Sequence, residues 1–537
     1  MPSEDQRADA QPPLGRADAQ PPLEPADTQP PLEPADTQPS LGPTDAQTPF
    51  GPVVTQPPLG RTVGAATYGE LGHHLMETRG LEWLHGANGD PYALVLRGLA
   101  DDPYPLYERV RELGPLYRSP TGSWVTADHA VAREVLAHPL LDVRAADGWP
   151  VPPQVVSYGA GQALELDRAA HERLAERWQQ VLGAEHVDGL RAYAERACEE
   201  VLDGLLASRA RPVPGAPASD GHAASTGLSG KPTRQPTPSA PATGERTPDD
   251  HATPTDPASP PPPTAFDLMT DFARPAAVAT VAAVLGVPRE RYADLASCCE
   301  RLAAWPDALV SAQPPTRVRG VASGLADLHA LLDSRPAAAD GPLSSVAGSA
   351  DGGLTDGRLA DGATARYPVE TLLCAHGAIA AAHLVGNAVV ALLSRPGRWR
   401  ALCAEPGLIP AVVEETLRYD PPVQMDERVA LKDVELAGHH LAAGSHIVVL
   451  TGATGRDAAA FAAPHRFDPA RAAGGPAPLA LSGGFHHGPV APLVRLHAGA
   501  ALAALAHRLP GLRQAGPVLR PRRTPVTRGP LTVPVTA

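Results

Sequence analysis

The sequence predicts a mainly helical fold with small β-sheets, interrupted by proline-rich segments that stay outside the folded core. Three observations lead to this prediction. The long stretch 372–393 has no formal charge and is rich in alanine and glycine, as expected for a buried helix. Residues 429–447 alternate between apolar and polar side chains in the manner of a β-hairpin. Residues 207–264 contain 14 prolines and no aromatic side chain, so they cannot build a core.

The composition is that of a reduced, intracellular protein. The net charge of −14 over 537 residues, without a Lys/Arg-rich run, disfavours a nucleic-acid or anionic membrane partner. Five cysteines form no Cys-x-x-Cys pair, and the histidine pairs at 73/74, 439/440 and 486/487 lack a third ligand at motif spacing, so no metal site is predicted. The first residues have no apolar signal-peptide core, and 372–393 is expected to be a buried helix, not a membrane span. We predict a cytoplasmic protein.

Composition also divides the chain into four segments. Residues 1–65 form an acidic proline-rich tail with a nine-residue repeat, which we predict to be disordered; a polyproline II docking motif is the alternative. Residues 66–206 begin the fold. Residues 207–264 are predicted to be a disordered insertion in a surface loop, because loop-closure entropy grows only slowly with length. Residues 265–537 complete the fold, with a flexible loop at 335–366.

Periodicity, caps and turn signals predict the individual elements. A helix is expected over 70–79, followed by turns around Trp83, and Asp128 is a predicted helix N-cap. Further helices are predicted at 102–111, 128–140, 164–182, 289–304, 318–334 and 368–394, and an Ala/Val helix that ends at Gly286 is predicted after the segment 266–275. Strands are predicted at 123–126, 429–447 and 512–534. The basic run in the last of these, Arg520, Arg522 and Arg523, is interpreted as a solvated surface.

The segment 481–496, Leu-Ser-Gly-Gly-Phe-His-His-Gly-Pro-Val-Ala-Pro-Leu-Val-Arg-Leu, resembles the haem-ligand loop of a bacterial cytochrome P450. The family pattern is a Gly-rich bulge, a His, one residue, a Cys and a helix of the form Gly-Ala-Pro-Leu-Ala-Arg-Leu. Gly483 and Gly484 match the bulge, and 491–496 matches the helix. The thiolate position is Gly488, which has no side chain to bind iron.

The resemblance also implies a proton relay on the helix that passes over the haem, in the form Gly-x-Asp/Glu-Thr-Thr. Aligned on the shared Leu-Val-Gly-Asn at 384–387, the acid position is Ile379 and the threonine positions are Ala380 and Ala381. No acid or alcohol remains to move a proton. Small residues there suit close packing of the helix on its neighbours.

The propionate clamp of the family is only partly matched. Its Asp-x-x-x-His-x-Arg-Leu-Arg pattern is met by His171 and Arg173, but the final Arg is Ala175. A solvated basic helix face explains these residues equally well. Arg428 lies on the segment that faces a haem propionate in the family.

The structural motif of the P450 family is retained. Glu415 and Arg418 form the Glu-x-x-Arg pair, three residues apart on one face of a helix. The resemblance implies that they also pair with Arg466 of the Arg-Phe-Asp-Pro segment. Such a network supports the fold and says nothing about oxidation.

A histidine ligand to haem is the alternative to an iron-free site. His487 adjoins the ligand position and His486 occupies the His position of the family, and histidine can ligate haem iron. However, Pro489 lacks an amide hydrogen where the family directs amides at the sulfur. We therefore predict that haem is absent and that the chain has no catalytic residue.

Retained scaffold motifs with a lost iron site resemble the P450-like auxiliary proteins of antibiotic glycosyltransferases. The segment 79–92, Arg-Gly-Leu-Glu-Trp-Leu-His-Gly-Ala-Asn-Gly-Asp-Pro-Tyr, is also similar to their N-terminal signature. The resemblance implies a P450 fold and a pseudoenzyme. It also implies that the protein binds, as a hetero-oligomer, a glycosyltransferase that attaches a TDP-deoxysugar to a macrolide or anthracycline polyketide, and stabilises and activates it. The alternatives are a haem monooxygenase with a non-cysteine ligand and an aglycone-binding carrier.

Overall fold

The computed structural model describes residues 67–143, 187–210, 265–335, 342, 367–471, 475–482, 488 and 490–537. The predictions for the tail 1–65 and the helix 164–182 lie outside these residues. The same holds for most of the insertion 207–264 and of the loop 335–366. Within the described part, most residues are helical and the strands are short.

Fifteen α-helices occur in the described residues. The first eight are α1 (Tyr68–Ala87), α2 (Pro91–Leu96), α3 (Tyr104–Glu112), α4 (His129–Ala137), α5 (Val187–Ala210), α6 (Arg274–Leu285), α7 (Tyr292–Leu302) and α8 (Trp305–Val310). The others are α9 (Pro315–Asp333), α10 (Pro368–Leu372), α11 (Ala378–Leu393), α12 (Arg398–Ala404), α13 (Ile409–Tyr419), α14 (Thr451–Thr454) and α15 (Ala491–Arg508).

Ten strands occur in the same described part of the chain and form three sheets. The strands are β1 (Tyr117–Arg118), β2 (Trp124–Thr126), β3 (Leu141–Asp142), β4 (Ala265–Asp267), β5 (Asp426–Ala430), β6 (Val434–Leu436), β7 (His439–Leu441), β8 (His446–Val449), β9 (Arg513–Gln514) and β10 (Pro534–Thr536). The five-stranded sheet has the order β1-β2-β8-β5-β3, in which only β2 and β8 are parallel. A three-stranded sheet has the order β4-β10-β9, and β6 pairs with β7.

Local sequence explains several of these ends. Asp128 caps α4 as predicted, because its side chain accepts a hydrogen bond from the amide of Val131. Gly286 ends α6 with a φ of 68°, which a residue with a side chain rarely adopts. The β6–β7 turn places Ala437 and Gly438 at positive φ, as a tight hairpin requires. The hairpin prediction for 429–447 is thereby confirmed, with β5 and β8 flanking it.

Two predicted boundaries were wrong. Helix α1 begins two residues earlier than predicted, with a capping box between Thr67 and Glu70, and continues to Ala87 through the predicted turns. The chain first turns at Asn88 and Gly89, because Gly86 is held inside the helix beneath the guanidinium of Arg97. Helix α5 extends to Ala210, past the predicted start of the insertion at 207, since no proline occurs before Pro212.

The predicted long helix 368–394 is confirmed and forms the centre of the core. It consists of α10, a π-helical turn at Leu373–Gly377, and α11, which we call together the central helix. The central helix contacts α6, α13 and α15. Two helical segments of the described residues, Leu268–Leu285 and Pro368–Leu393, are long and apolar enough to cross a membrane, but they are 67% and 83% buried, as is typical of core helices.

Candidate functional site

Gly488 lies in the turn that leads into α15. The amide of Ala491 donates a hydrogen bond to the carbonyl of Gly488 over 3.3 Å, and the amide of Val494 donates to that of Val490 over 3.0 Å. The backbone of the ligand turn is therefore continuous with the helix, while the position itself offers no donor atom to a metal. His486, His487 and the more distant His171 lie outside the described residues.

The central helix faces this turn with apolar side chains. Ile379, Ala380 and Ala381 provide neither an acid nor a hydroxyl group, and both alanines are buried. Two residues before Ile379, a β-carbon placed on Gly377 would lie 3.8 Å from Cβ and Cγ1 of Val490. The gap between the central helix and the segment after Gly488 thus holds roughly one methyl group.

The described residues of this region do not fit a thiolate-bound haem. A flat haem macrocycle between the central helix and the segment after Gly488 would need them to be about 7 Å apart, because each face of the ring needs a carbon–carbon contact of about 3.5 Å. Arg428, expected to face a propionate, is buried on β5 and donates to Asp426 over 2.6 Å and to the carbonyl of Glu427 over 2.5 Å. Its charge is therefore already balanced by a carboxylate of the same strand.

The Glu-x-x-Arg pair is formed as predicted. Nε and Nη2 of Arg418 donate to the two carboxylate oxygens of Glu415, each over 2.7 Å. The remaining donors of the guanidinium bind the carbonyls of Gly455, Pro464 and Arg466 at 2.6–2.8 Å. Both side chains are buried, and the amide of Asp468 adds a bond to Glu415 over 2.6 Å. The network joins α13 to the segment 455–468.

The assignment of Arg466 to this network was wrong in one respect. The guanidinium of Arg466 is 61% exposed and pairs with Asp468, and only the backbone carbonyl of Arg466 reaches Arg418. The second arginine on Glu415 is Arg471, whose Nε lies 3.3 Å from Oε2. The chain turns after Pro469, and this turn brings the later arginine back to Glu415. Sequence spacing alone does not reveal such a turn.

A second buried ion cluster was missed by the sequence analysis. The carboxylate of Asp420 accepts from Arg528 over 2.6 Å, from Arg520 over 3.1 Å and from the hydroxyl of Tyr104 over 2.9 Å. Arg520 also donates to Oδ1 of Asn387 on the central helix over 3.1 Å. The interpretation of Arg520 as solvated surface was therefore wrong, although Arg522 and Arg523 are exposed. Arg520 and Arg528 lie 100 and 108 residues from Asp420 in the chain, so the sequence around them gives no local signal of the cluster.

The most apolar part of the surface lies on α1. Nine large apolar side chains are exposed among the described residues, and five of them belong to this one helix. Trp83 and Leu84 lie seven and eight residues after Met76, so these side chains share one face of the helix, and Leu81 adjoins Leu84 one turn earlier. We call these four residues the α1 patch. The guanidinium of Arg97 stacks 4.1 Å from the ring centre of Trp83 and fixes its orientation.

Beneath the α1 patch, the opposite face of α1 buries a carboxylate. Glu82 is 5% exposed and accepts a hydrogen bond from Ser311 over 3.5 Å, with Arg79 nearby. Burial raises the pKa of Glu82 to about 7, since Arg79 and Ser311 offset only part of the lost hydration.

We expect Glu82→Gln to stabilise the protein above neutral pH. The folded carboxyl has a pKa near 7 and the unfolded one a pKa of about 4.3, so the native state binds more protons between these values and its stability falls as the pH rises through the window. The variant should match the wild type at pH 4, below both pKa values, and exceed it at pH 8 by roughly 1–3 kcal/mol. Urea denaturation at both pH values measures this.

Glu77→Gln is the matched control for Glu82→Gln, because Glu77 lies exposed on the same helix and pairs only with His73. It should change the difference between the two pH values by less than about 0.5 kcal/mol. A Glu82→Gln protein that is less stable than the wild type at pH 8 would show that the carboxylate is stabilising.

Comparisons with known proteins agree with the fold. Residues 406–472 match the family model for cytochrome P450. Protein DesVIII of Streptomyces venezuelae is 46% identical over 477 residues, covering 89% of this chain and 96% of DesVIII. Protein AknT of Streptomyces galilaeus is 35% identical, covering 88% and 96%. The ligand-free crystal structure of Mycobacterium smegmatis CYP164A2 superimposes with a TM-score of 0.63 at 26% identity, covering 83% of this chain and 99% of that one.

A cytochrome P450 fold with glycine at the thiolate position and no proton relay defines a P450-like protein with a degenerate iron site. The chain belongs to the family of P450-like auxiliary proteins of antibiotic-pathway glycosyltransferases, on the evidence of these full-length relatives.

Proposed function

We propose that this protein is a non-catalytic, haem-free partner that binds, stabilises and activates a glycosyltransferase in the cytoplasm. The transferase would attach a TDP-deoxysugar to a macrolide or anthracycline aglycone, and the two chains would form a hetero-oligomer. The observation that carries the proposal is the close packing of Gly377 on Val490 beside a ligand position without a side chain. It removes both the donor and the space that oxygenase chemistry needs.

The physical basis of activation is linkage. A partner that binds only the active conformation of the transferase shifts the population toward it by as much as the two conformations differ in affinity for the partner. The same binding protects the transferase from unfolding by RT ln(1 + [L]/Kd), about 2.7 kcal/mol at a hundredfold excess over Kd. No chemical step on the auxiliary protein is needed, only a rigid and complementary surface.

The α1 patch is the surface that suits this role best. Contiguous exposed apolar side chains rimmed by polar residues are typical of protein interfaces, and aromatic and Met side chains are enriched at their cores. The Glu415–Arg418 network and the buried central helix hold the fold together without contributing chemistry.

The first test is activation of the transferase by patch variants. Purified transferase is titrated with wild-type protein and with Met76→Ser or Leu84→Ser, and sugar transfer is measured at each concentration. We expect each substitution to raise the concentration for half-maximal activation about tenfold, because a buried interface side chain contributes roughly 1–2 kcal/mol. Leu113→Ser is the matched control, since Leu113 and Leu84 are both 53% exposed. Equal effects at Leu84 and Leu113 would exclude the α1 patch as the docking surface.

The alternatives give different results in the same preparations. After incubation with haemin, wild-type protein and Gly488→Cys are examined for a Soret band and for oxidation of a polyketide. We expect neither protein to turn over, since Ile379 and Ala380 still cannot move protons. Turnover by the wild type would establish a monooxygenase. Aglycone binding by the isolated protein without any effect on the transferase would establish a carrier.

A further inference from the structure

A cleft opens on the side of the molecule where the α2–α3 region meets the C-terminal loop 520–529. Its cavity volume is about 40 Å³, and the empty space reaches about 490 Å³ when the open solvent at its mouth is included. One wall is apolar and contains Leu94, Val95 and Leu106, while the other carries the side chains of Arg520 and Arg528. No carboxylate lines the cleft among the described residues.

The cleft has an excess of positive charge. Asp420, which lies behind the lining, is the one carboxylate that Arg520 and Arg528 both contact in the described chain. A third guanidinium, of Arg456, stacks 3.3 Å from the ring centre of Tyr104, whose hydroxyl binds the same carboxylate. Three guanidinium groups therefore surround one negative charge. Burial would raise the pKa of Asp420, but Arg528 and Arg520 outweigh it and lower the pKa. Asp420 is therefore ionised and contributes one full negative charge to the cluster.

Asp420 compensates the two arginines of the cleft unequally. Burial lowers the pKa of Arg520, and although Asp420 counteracts this, Arg528 repels Arg520 and lowers its pKa further. Burial would also lower the pKa of Arg528, but Asp420 and Tyr104 outweigh it and raise the pKa. A second buried acid, Asp307, accepts hydrogen bonds from the amides of Val526 and Thr527 and from the hydroxyl of Thr527, and so orders the loop.

Donors remain available on the arginines. Arg528 uses Nε for Asp420 and Nη1 for the carbonyl of Asp101, and Arg520 uses Nη1 for Asn387 and Nη2 for Asp420. Within the described residues, Nη2 of Arg528 and Nε of Arg520 bind no protein acceptor. A guanidinium pair held by a carboxylate from behind, with donors left at the front, suits a planar or tetrahedral oxyanion.

We propose that this cleft binds the oxyanion group, phosphate or carboxylate, of a small organic molecule, with Arg520 and Arg528 on the oxyanion and the apolar wall on the rest. The proposal does not depend on the partnership with a glycosyltransferase. It assigns the C-terminal loop a binding role that is separate from both the degenerate iron site and the α1 patch.

Thermal denaturation with two simple anions tests the proposal. Sodium pyrophosphate and sodium hexanoate are each compared with sodium chloride at equal ionic strength, on the full chain. We expect at least one of them to raise the Tm by about 2 °C or more, with a saturable concentration dependence. Stabilisation by pyrophosphate alone would identify a phosphate ligand, and stabilisation by hexanoate alone a carboxylate. No shift beyond the chloride control with either anion would overturn the proposal.

Charge variants establish where the anion binds. Thr524→Glu and Ala100→Glu each add a negative charge to the cleft lining, at two different places in the chain. We expect either variant to raise the anion concentration that gives half of the maximal Tm shift at least ~10-fold. Two variants are used because the test still works if one of them misfolds. The Tm of each variant in sodium chloride shows whether it is folded. Arg522→Gln removes an exposed charge outside the lining and should leave the effect unchanged. An equal loss in Arg522→Gln would mean diffuse surface binding and would contradict the proposal.

Discussion

Arg418→Met is expected to lower the free energy of unfolding by about 3–5 kcal/mol, the cost of breaking one side of a buried ion pair. The substitution keeps most of the side-chain volume but leaves the carboxylate of Glu415 buried without its bidentate partner. It also removes the donors to three backbone carbonyls. Urea denaturation followed by circular dichroism at 222 nm measures the loss.

Arg466→Met and Arg471→Met are the controls for this prediction. Because the guanidinium of Arg466 is exposed, its loss should change the stability by less than about 0.5 kcal/mol. Arg471 contacts Glu415 at the edge of the network, so its loss should have an intermediate effect. If Arg466→Met proved as damaging as Arg418→Met, the sequence-based assignment of Arg466 would be right after all.

Gly529→Ala is expected to destabilise the protein by about 3 kcal/mol or more, at the upper end of the cost of overpacking a core. A β-carbon at Gly529 would fall well inside van der Waals contact with the imidazole of His383 on the central helix. His383 is buried in the core. Burial, with Arg274 and Arg520 adding to it, lowers the pKa of His383 to about 3, so the loop rests on a neutral ring.

Gly511→Ala is the matched control, because a β-carbon at Gly511 would meet no atom within 4 Å. Thermal or urea denaturation should show a change of less than about 0.5 kcal/mol there. Equal effects at the two glycines would mean that the loop 520–529 does not press on the central helix.

The chemistry lost from the iron site could be predicted because it depends on side-chain identity. Gly488 has no side-chain atom that can bind iron, and the side chains of Ile379 and Ala380 have no proton to transfer, whatever their surroundings. The Glu415–Arg418 pair could be predicted for a similar reason, since residues three apart on a helix meet on one face. Local caps such as that of Asp128 on α4 follow equally from short-range chemistry.

What could not be predicted depends on contacts between distant parts of the chain. Arg520 was interpreted as solvated because its partner Asp420 is a hundred residues away, and nothing near Arg520 signals burial. Helix α1 continues past Gly80 since its tertiary contacts outweigh the roughly 1 kcal/mol that glycine costs in a helix. The close approach of Gly377 and Val490 likewise depends on how the central helix packs against the start of α15, so the sequence alone could not predict it.

The order of strands in the five-stranded sheet has a consequence for cutting the chain. Strand β2 lies between β1 and β8, with Trp124 opposite Ile447, and β3 pairs with β5 at the other edge. The part of the protein before residue 211 therefore supplies three strands to this sheet, and the part after residue 264 supplies the other two. Neither half contains all the strands of this five-stranded sheet. A protein cleaved between residues 211 and 264 would stay together as a two-fragment complex. Halves that are expressed separately would have to associate before either could fold fully.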